Sequence, residues 1–503
     1  MEAEMVDRIS DLPIPILHHI LSFLPTRDVV RTCVLSKHWH STSSSFPTLE
    51  FDIYDFRSYR WDSYNNPIKD EEFLRWVDAR VERLCETTDT NILRLKVRVD
   101  LLDPRIIRAI ERAMERNVEE LDLAFLSLYG DYFKHKHILY SARSVVVYKL
   151  KGINLNLPDL LRGCPLLQEL NLRDCFLLQE TTIVNNDANN LKTLVFKKCI
   201  CMHRDNLVII RAPNLESLAY TGGSFCAIHI DFAQTSSLKS VNLSHISISE
   251  EWLENLIRGC PKLEFLKLYC NNRLERIAIC HQRLKTLKLY GCTSNSLGSL
   301  IIKIDTPELL HFRYNGPAMP FYMFNYSASL KATLNLFRRE EDDATWFANL
   351  RKMLQWFSGC VTLQLIIPFD VFYPQELIFG MDIRDNSIPL MYGLKNLEIQ
   401  FPICRPTSHV PFIELIDTYL WLCPHLETLK ITSEETEEVA MFKFEREHRN
   451  ILLCCAEHPG ECWKFSGKKV TLASYVGRES DKQWLLSTCI SHYGDTGRFV
   501  GPL

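Results

Sequence analysis

Cysteine and histidine side chains cluster near the C-terminus in a pattern that could bind a metal. Cys454, Cys455, His458 and Cys462 form the segment CCAEHPGEC. Thiolate and imidazole are ligands that Zn²⁺ prefers in proteins. Adjacent cysteines reach one tetrahedral site with difficulty, however, and the spacing matches no common zinc motif. We weigh a zinc site against incidental thiols at a helix terminus, and we expect no bound metal.

A second segment, CICMH, places Cys199, Cys201 and His203 close together. Cys199 follows a repeat strand at the position where Cys175 and Cys270 also fall, so packing explains it without a metal. No glycine-rich phosphate loop, nucleophile elbow or H-E-x-x-H motif occurs. A nucleophilic cysteine would need a base, an orienting group and an oxyanion site. The sequence therefore predicts a protein that is not an enzyme and holds no cofactor.

The overall composition is that of a folded chain with balanced charge. Of its 503 residues, 24% are charged and 46% are hydrophobic, and the formal net charge is −4. Nothing in this balance favours a nucleic-acid partner. The N-terminal segment MEAEMVDRIS lacks the apolar core of a secretory signal, and no run is long enough to span a membrane. We therefore interpret the 18 cysteines as reduced thiols and expect the protein in the nucleus, the cytoplasm or both.

Three short helices are predicted between residues 7 and 50. Asp11, Thr26 and Ser36 are the expected N-cap residues, and Pro25 is expected to end the first helix. That helix carries apolar side chains at helical spacing, namely Ile16, Leu17, Ile20, Leu21 and Leu24. A unit this small, with Cys33 as its only cysteine, has no disulfide to stabilise it. Its apolar residues also exceed what one small core needs, so we expect a second polypeptide to cover part of them.

The order of motifs in this segment resembles an F-box. The resemblance rests on Leu12 and Pro13, ILHHILSFLP at 16–25, the valine pair at 29–30 and VLSKHW at 34–39. In that family the segment docks on the Skp adaptor of a cullin-RING ubiquitin ligase, and the rest of the chain selects a substrate protein. The adaptor contacts implied by the resemblance are Leu12, Pro13, Ile16, Leu17, Ile20, Leu21, Val34, Leu35 and Trp39. The alternative is that these helices only cap the following domain.

A repeated pattern, apolar-x-x-apolar-x-apolar, follows. Its predicted first positions are Ile92, Val118, Ala142, Leu167, Leu191, Leu215, Leu238, Leu263, Leu284 and Leu309. The separations of 21 to 26 residues are typical of leucine-rich repeats. The matches then widen to Leu330, Val361, Leu394 and Leu426. Because each unit has one strand and a returning segment, it can bury its leucines only against its neighbours, which predicts a curved stack.

The predicted fold class is therefore α/β, with a three-helix F-box, a curved leucine-rich-repeat solenoid and a C-terminal cap. The expected boundaries are 5–50 for the F-box, 51–90 for a linker and cap helix, 91–432 for the solenoid and 433–503 for the cap. The segments GCPLLQELNLRDC, GCPKLEFLKLYC and CPHLETLKI resemble the cysteine-containing class of repeat that often follows an F-box. Residues 461–492 resemble the FBD region of plant F-box proteins.

The strand positions that point away from the core predict a binding surface. They place Lys267, Lys288 and Arg313 in one column, and Tyr269 and Tyr290 in the next. Stacked cations repel one another, so this concave face suits an acidic or phosphorylated segment; an ordinary solvated face is the alternative. The leading hypothesis is a substrate receptor of a Skp–cullin–F-box ligase. The rival is a ligase-independent scaffold or ligand sensor with a vestigial F-box.

Overall fold

In a computed structural model, the chain forms two compact units, residues 1–246 and 247–503. The structure describes residues 9–24, 26–55, 67–86, 92–100, 103–126, 136–178, 181–183, 189–201, 207–222, 227–231, 235–245, 248–269, 274–292, 300–318, 321–337, 346–367, 391–401, 412–433, 437, 439–445, 469–480, 482–483 and 485–487. The predicted zinc cluster at 454–462 lies outside these residues.

Ten α-helices have defined bounds among the described residues, and residues 479–480, 482–483 and 485–487 are also helical. The ten helices are α1 Ile14–Leu21, α2 Thr26–Arg31, α3 Lys37–Ser44, α4 Pro67–Glu86, α5 Pro104–Glu115, α6 Lys136–Leu139, α7 Leu157–Gly163, α8 Glu250–Gly259, α9 Trp346–Gln355 and α10 Phe412–Leu422. A 3-10 turn, Thr32–Val34, joins α2 to the segment before α3. None of the described helices is long and apolar enough to cross a membrane.

The N-terminal helices confirm one of the three predicted caps. The Ser36 hydroxyl accepts a hydrogen bond from the Trp39 amide at 3.1 Å, and α3 begins at Lys37 as expected. Asp11 does not cap α1, because Pro13 holds the N-cap position and gives no side-chain hydrogen bond. Thr26 is the first residue of α2 rather than its cap. Helix α1 ends at Leu21, before Leu24 and before Pro25, which lies outside the described residues.

The first unit is built on parallel strands. They are β1 Thr48–Asp52, β2 Arg94–Val99, β3 Glu120–Phe125, β4 Val147–Lys151, β5 Asn154–Leu155, β6 Glu169–Arg173, β7 Phe176–Leu177, β8 Thr181–Ile183, β9 Thr193–Lys197, β10 Ile200–Cys201, β11 Leu207–Ile210, β12 Ser217–Thr221, β13 Ala227–Ile230 and β14 Ser240–Ser244. The main sheet runs β1-β2-β3-β4-β6-β9-β12-β14. Two smaller sheets, β5-β7-β10 and β8-β11-β13, line the returning segments.

The second unit is also built on parallel strands, but its last two strands are antiparallel. Its strands are β15 Phe265–Tyr269, β16 Arg276–Cys280, β17 Thr286–Tyr290, β18 Ile301–Asp305, β19 His311–Pro317, β20 Met323–Asn325, β21 Lys331–Phe337, β22 Thr362–Ile366, β23 Asn396–Phe401, β24 Thr428–Ser433, β25 Val439–Glu445 and β26 Lys469–Val476. Strands β15, β17, β19 and β21 to β24 pair in parallel, whereas β25 and β26 add antiparallel to β24. A smaller sheet, β16-β18-β20, lines the returning side.

The register of two repeats differs from the sequence prediction. The prediction began one repeat at Ala142, but Val145 occupies the buried position before the inward pair Tyr148 and Leu150. It began another at Val361, whereas Cys360 takes that position before Leu363 and Leu365. In the first repeat Ala142, Val145 and Val147 also satisfy the pattern, so the sequence offered two registers; in the second, Gln364 follows Val361 by three residues, and only the register from Cys360 satisfies it.

The start of the main sheet also differs from the predicted boundary. Strand β1 follows α3 after three residues and pairs with β2, Leu49 lying opposite Leu95 and Phe51 opposite Val97. The sheet thus begins before the segment that we interpreted as a linker from residue 51. Helix α4, predicted as a cap helix reaching about Cys85, spans Pro67–Glu86 and buries Phe73, Val77 and Val81.

Candidate functional site

The N-terminal helices enclose a small core of their own. Leu17 and Leu21 from α1 pack with Val29, Trp39 and Phe46, and Leu12 packs against this group while only partly buried. Leu17 has no exposed surface, and Trp39 is 9% exposed. Each such side chain removed from water contributes roughly 1.5–3 kcal/mol, so this core holds the three helices together.

A second set of apolar side chains on the same helices faces solvent. Among the described residues, eight of the fourteen exposed large hydrophobic residues lie between Ile9 and Leu35, and the other six are scattered from Leu93 to Val476. We call this set the N-terminal apolar surface; its members are Ile9, Ile14, Ile16, Ile20, Phe23, Leu24, Val34 and Leu35. Val34 is 82% exposed and Phe23 76%. A concentration of this kind marks an interaction surface.

The structure divides the predicted adaptor contacts into two groups. Ile16, Ile20, Val34 and Leu35 are exposed, as is Pro13. Leu17, Leu21 and Trp39 lie in the core, so their assignment as direct contacts is corrected: as placed, they have almost no surface to offer a partner. The sequence could not separate the groups, because α1 is apolar on more than one face. Four exposed members of the N-terminal apolar surface were not among the predicted contacts, namely Ile9, Ile14, Phe23 and Leu24.

The helical segment is joined directly to the repeat sheet. Arg80 of α4 is 5% exposed and donates a hydrogen bond from Nη2 to the Ser43 carbonyl of α3 at 3.2 Å. The Pro47 carbonyl accepts hydrogen bonds from the backbone amides of Leu93 and Arg94, at 2.9 and 3.3 Å. These bonds connect the helices to the start of β2. The N-terminal apolar surface is therefore held in place by the first unit.

One histidine of α1 is partly enclosed by the same helices. The His18 ring nitrogen Nε2 lies 3.2 Å from both the Thr42 carbonyl and the Ser45 hydroxyl, and the ring meets Phe46 edge to face at 5.7 Å. Burial lowers the pKa of His18 more than its bond to the Thr42 carbonyl raises it. The neutral ring is therefore the form that fits between α1 and α3.

The predicted binding residues of the second unit form one ordered surface, which we call the lysine–tyrosine surface. Lys267 lies opposite Lys288 on the neighbouring strand, Lys288 lies opposite Arg313, and Tyr269 lies opposite Tyr290. The two tyrosine rings stack with centroids 4.8 Å apart and planes at 14°. Lys267 Nζ lies 5.4 and 5.3 Å from those two centroids. The structure thus brings all five predicted residues together.

No acid in the part of the chain that the structure describes matches the charges of the lysine–tyrosine surface. Among the described residues, none of Lys267, Lys288 and Arg313 forms an ion pair. The aligned positions beyond Arg313 are the neutral Thr333 and Gln364. Nothing in the sequence pattern indicated that the tyrosines would stack beneath a lysine. This arrangement can hold an anion against the cations and an apolar group against the ring faces.

The structure describes the side chains of nine cysteines. Seven of the nine are buried, and all nine are free thiols. Burial raises the pKa of Cys164, Cys260 and Cys360 to about 12 in each case, so these side chains are protonated at neutral pH. Cys175, fully buried after a repeat strand, lies with its Sγ 3.4 Å from the Leu150 carbonyl. No group of potential metal ligands occurs among the described residues.

Comparison with known proteins agrees with this architecture. The F-box domain family matches residues 9–51, and the family described as FBD-associated F-box protein At5g56370, LRR repeats, matches residues 226–320. F-box/LRR-repeat protein 13 of Arabidopsis thaliana is 29% identical over 443 residues, which cover 87% of this chain and 79% of that protein. An Arabidopsis F-box/FBD/LRR-repeat protein is 22% identical over 86% of this chain and 76% of its own length.

A further Arabidopsis relative, the F-box/LRR-repeat protein At5g38386, is 25% identical over 56% of this chain, and the match covers 66% of its length. The F-box match spans all three N-terminal helices and β1. The repeat match covers β15 to β19, which include the lysine–tyrosine surface. The chain therefore carries an F-box domain joined to leucine-rich repeats, the domain pair of the plant F-box/LRR-repeat proteins to which it is similar.

Proposed function

We propose that the protein is a substrate-receptor subunit of a Skp–cullin–F-box ubiquitin ligase. The observation that carries the proposal is the N-terminal apolar surface, which remains exposed although the helices already enclose a complete core of their own. Helices that merely capped the repeats would turn these side chains toward the first unit. Ile16, Ile20, Val34 and Leu35 would contact the Skp adaptor, while Leu17, Leu21 and Trp39 hold the helices that present them.

The lysine–tyrosine surface is the proposed substrate contact. Its three cations without acidic partners favour an acidic or phosphorylated segment of a target protein. The stacked rings of Tyr269 and Tyr290 offer a flat apolar area beside that charge. The protein would work by holding a target near the ubiquitin-transferring subunits, so its contribution is proximity and it is not itself an enzyme. We place this activity in the nucleus, the cytoplasm or both.

The test is recovery of the adaptor and a cullin with the tagged full chain. In the double variant Val34→Ala/Leu35→Ala, we expect recovery of both to fall about tenfold or more, since central apolar contacts of an interface each contribute more than about 1 kcal/mol. The matched control is Leu166→Ala, which truncates a 51% exposed leucine of the repeats. Circular dichroism should show both variants folded.

Unchanged recovery of the adaptor with the double variant would contradict the proposal. Recovery of the adaptor without any cullin from native complexes would instead support the rival function, a ligase-independent scaffold or ligand sensor. The two outcomes are distinct because the first concerns the N-terminal apolar surface and the second concerns the assembly built on it.

A further inference from the structure

A cavity that the sequence did not predict lies on the main sheet of the first unit. Its volume is about 290 Å³, and its charged lining residues are Lys96, Arg98, Asp122, Lys149, Lys151 and Arg173. These residues come from four strands, β2, β3, β4 and β6. The short side chain of Ala124 also lines the cavity and lies in register between Arg98 and Lys151. The gap left by this alanine is what opens the sheet surface to a ligand.

Four cations line up across this part of the sheet, and we call them the basic row. Arg98 and Lys151 lie in register on either side of Ala124. Lys151 is in turn in register with Arg173, and Arg173 with Lys197. Neighbouring strands lie about 4.8 Å apart. Like charges placed directly opposite one another destabilise a sheet. The row is therefore stabilised by any anion that lies across it.

The protein supplies only part of that negative charge. Arg98 lies 3.5 Å from an Asp52 carboxylate oxygen, and Lys151 lies 3.7 Å from Asp174. Arg173 donates to the Asn171 amide oxygen at 3.1 Å. The ammonium group of Lys197 forms no ion pair or hydrogen bond with another described residue. Two acids thus face four cations, which leaves an excess of two positive charges on the basic row.

The other two lysines that line the cavity each form an ion pair with a glutamate. Lys149 pairs with Glu120 at 2.7 Å, and Lys96 pairs with Glu50. Asp122 lies in register between these two lysines, yet its carboxylate has no hydrogen-bond partner among the described residues. Burial raises its pKa more than the neighbouring cations lower it. A ligand that reaches this carboxylate with an N–H or O–H group would supply the missing hydrogen bond.

We propose that the basic row and Asp122 form a binding site for a phosphate monoester that also carries a hydrogen-bond donor. A phosphate monoester bears close to two negative charges at neutral pH, which equals the excess on the row. Its oxygens would lie against Arg98, Lys151 and Arg173, and guanidinium groups bind such oxygens in a bidentate manner. The donor would face Asp122. Both a phosphorylated protein side chain and a small phosphorylated solute present this chemistry.

The experiment measures binding of a fluorescein-labelled Ala-Ala-phosphoserine-Ala-Ala peptide to the full chain by fluorescence anisotropy. The unphosphorylated peptide is the ligand control, and unlabelled glycerol phosphate is the competitor. We expect saturable binding of the phosphopeptide that weakens about tenfold or more in Lys151→Gln/Arg173→Gln, because the double variant removes two cations that would form charged hydrogen bonds to the phosphate. The matched control is Lys239→Gln, which removes an exposed cation of the same unit that pairs with Glu216.

A third variant separates a shaped site from general attraction of anions. Ala124→Leu fills the gap and leaves every charge in place, so it should also abolish binding. The proposal is overturned by binding that survives Ala124→Leu, by equal loss in Lys239→Gln, or by no saturable phosphopeptide binding at all. Displacement by glycerol phosphate at a concentration lower than the peptide's own dissociation constant would assign the site to a small solute, and tighter binding of the phosphopeptide than of glycerol phosphate would assign it to a phosphorylated protein. This experiment and the adaptor experiment fail independently, since they concern different residues.

Discussion

A pair of substitutions in the N-terminal helices separates the core from the docking surface. Leu17 is fully buried among Leu21, Val29, Trp39 and Phe46, so Leu17→Ala leaves a cavity and should cost about 2–5 kcal/mol of local stability. Val34 is 82% exposed, and Val34→Ala should change stability by no more than about 0.5 kcal/mol. The two variants remove apolar atoms from the same small domain, yet only Leu17→Ala should lower its stability, whereas both should weaken adaptor binding.

Hydrogen exchange of peptides from α1 and α3 measures the stability difference. A loss of 2 kcal/mol corresponds to about 30-fold faster exchange, since each 1.4 kcal/mol changes the opening equilibrium about tenfold. We expect at least that acceleration in Leu17→Ala and almost none in Val34→Ala. Adaptor affinity should fall in both variants, but in Val34→Ala without any loss of protection. The division into core and surface would be refuted if Val34→Ala accelerated exchange as much as Leu17→Ala did.

Three further predictions concern single residues elsewhere. His281 accepts from the Arg283 amide at Nδ1, 3.2 Å away, while Nε2 lies 3.0 Å from the Cys260 carbonyl, so the neutral ring satisfies both contacts. Burial lowers the pKa of His281 below its ordinary value near 6.5, so the neutral ring should stabilise the fold fully above that pH and less as the pH falls. We expect faster hydrogen exchange in β16 and β17 at pH 5.5, and the substitution His281→Gln should abolish this pH effect. Ser36→Ala removes the cap of α3 and should cost about 1 kcal/mol, seen as faster exchange of α3; equal exchange would contradict the cap. Gly152→Ala should destabilise the first unit by about 1–3 kcal/mol or more in urea unfolding, because Gly152 has a φ of +70° and a Cβ there would overlap the Phe125 carbonyl; an unchanged midpoint would be contrary to this reasoning.

Periodicity predicted the repeats well because their inward positions are strictly spaced. Leu167, Leu191, Leu263 and Leu284 each precede a strand whose alternate residues are buried, as expected. The pattern failed where two apolar residues competed for one position, at Ala142 and Val145 and again at Cys360 and Val361. The three-residue shift to Ala142 satisfies the same rule in sequence, so only pairing with neighbouring strands selects that register, whereas the one-residue shift to Val361 places Gln364 at an apolar position.

The returning strands and the C-terminal pair had weaker signals. Strands β5 and β7 have only two residues each, too few to show alternation. Strand β25 begins at Val439, within the segment 433–503 that we predicted as a C-terminal cap without assigning strands to it. Strand β1 was missed because its partner β2 lies more than forty residues further along the chain. Pairing between distant segments leaves no local pattern in the sequence.

The sequence predicted which site residues lie side by side better than it predicted which of them are buried. The five residues of the lysine–tyrosine surface share one face because strand register follows directly from the repeat. For α1, apolar character identified the important residues but could not tell Leu17 from Ile16, whose side chains point to opposite environments. The sequence did not predict the basic row, because its members lie on four strands and form a candidate site only beside the small side chain of Ala124.

The most direct test is calorimetric titration of purified Skp adaptor into the full chain at several temperatures. Burial of apolar surface on binding gives a negative heat-capacity change. If the N-terminal apolar surface is the docking site, binding should show a clearly negative change that becomes smaller in Val34→Ala/Leu35→Ala and stays the same in Leu166→Ala. No measurable binding, or a heat-capacity change that the double variant leaves unaltered, would contradict the account.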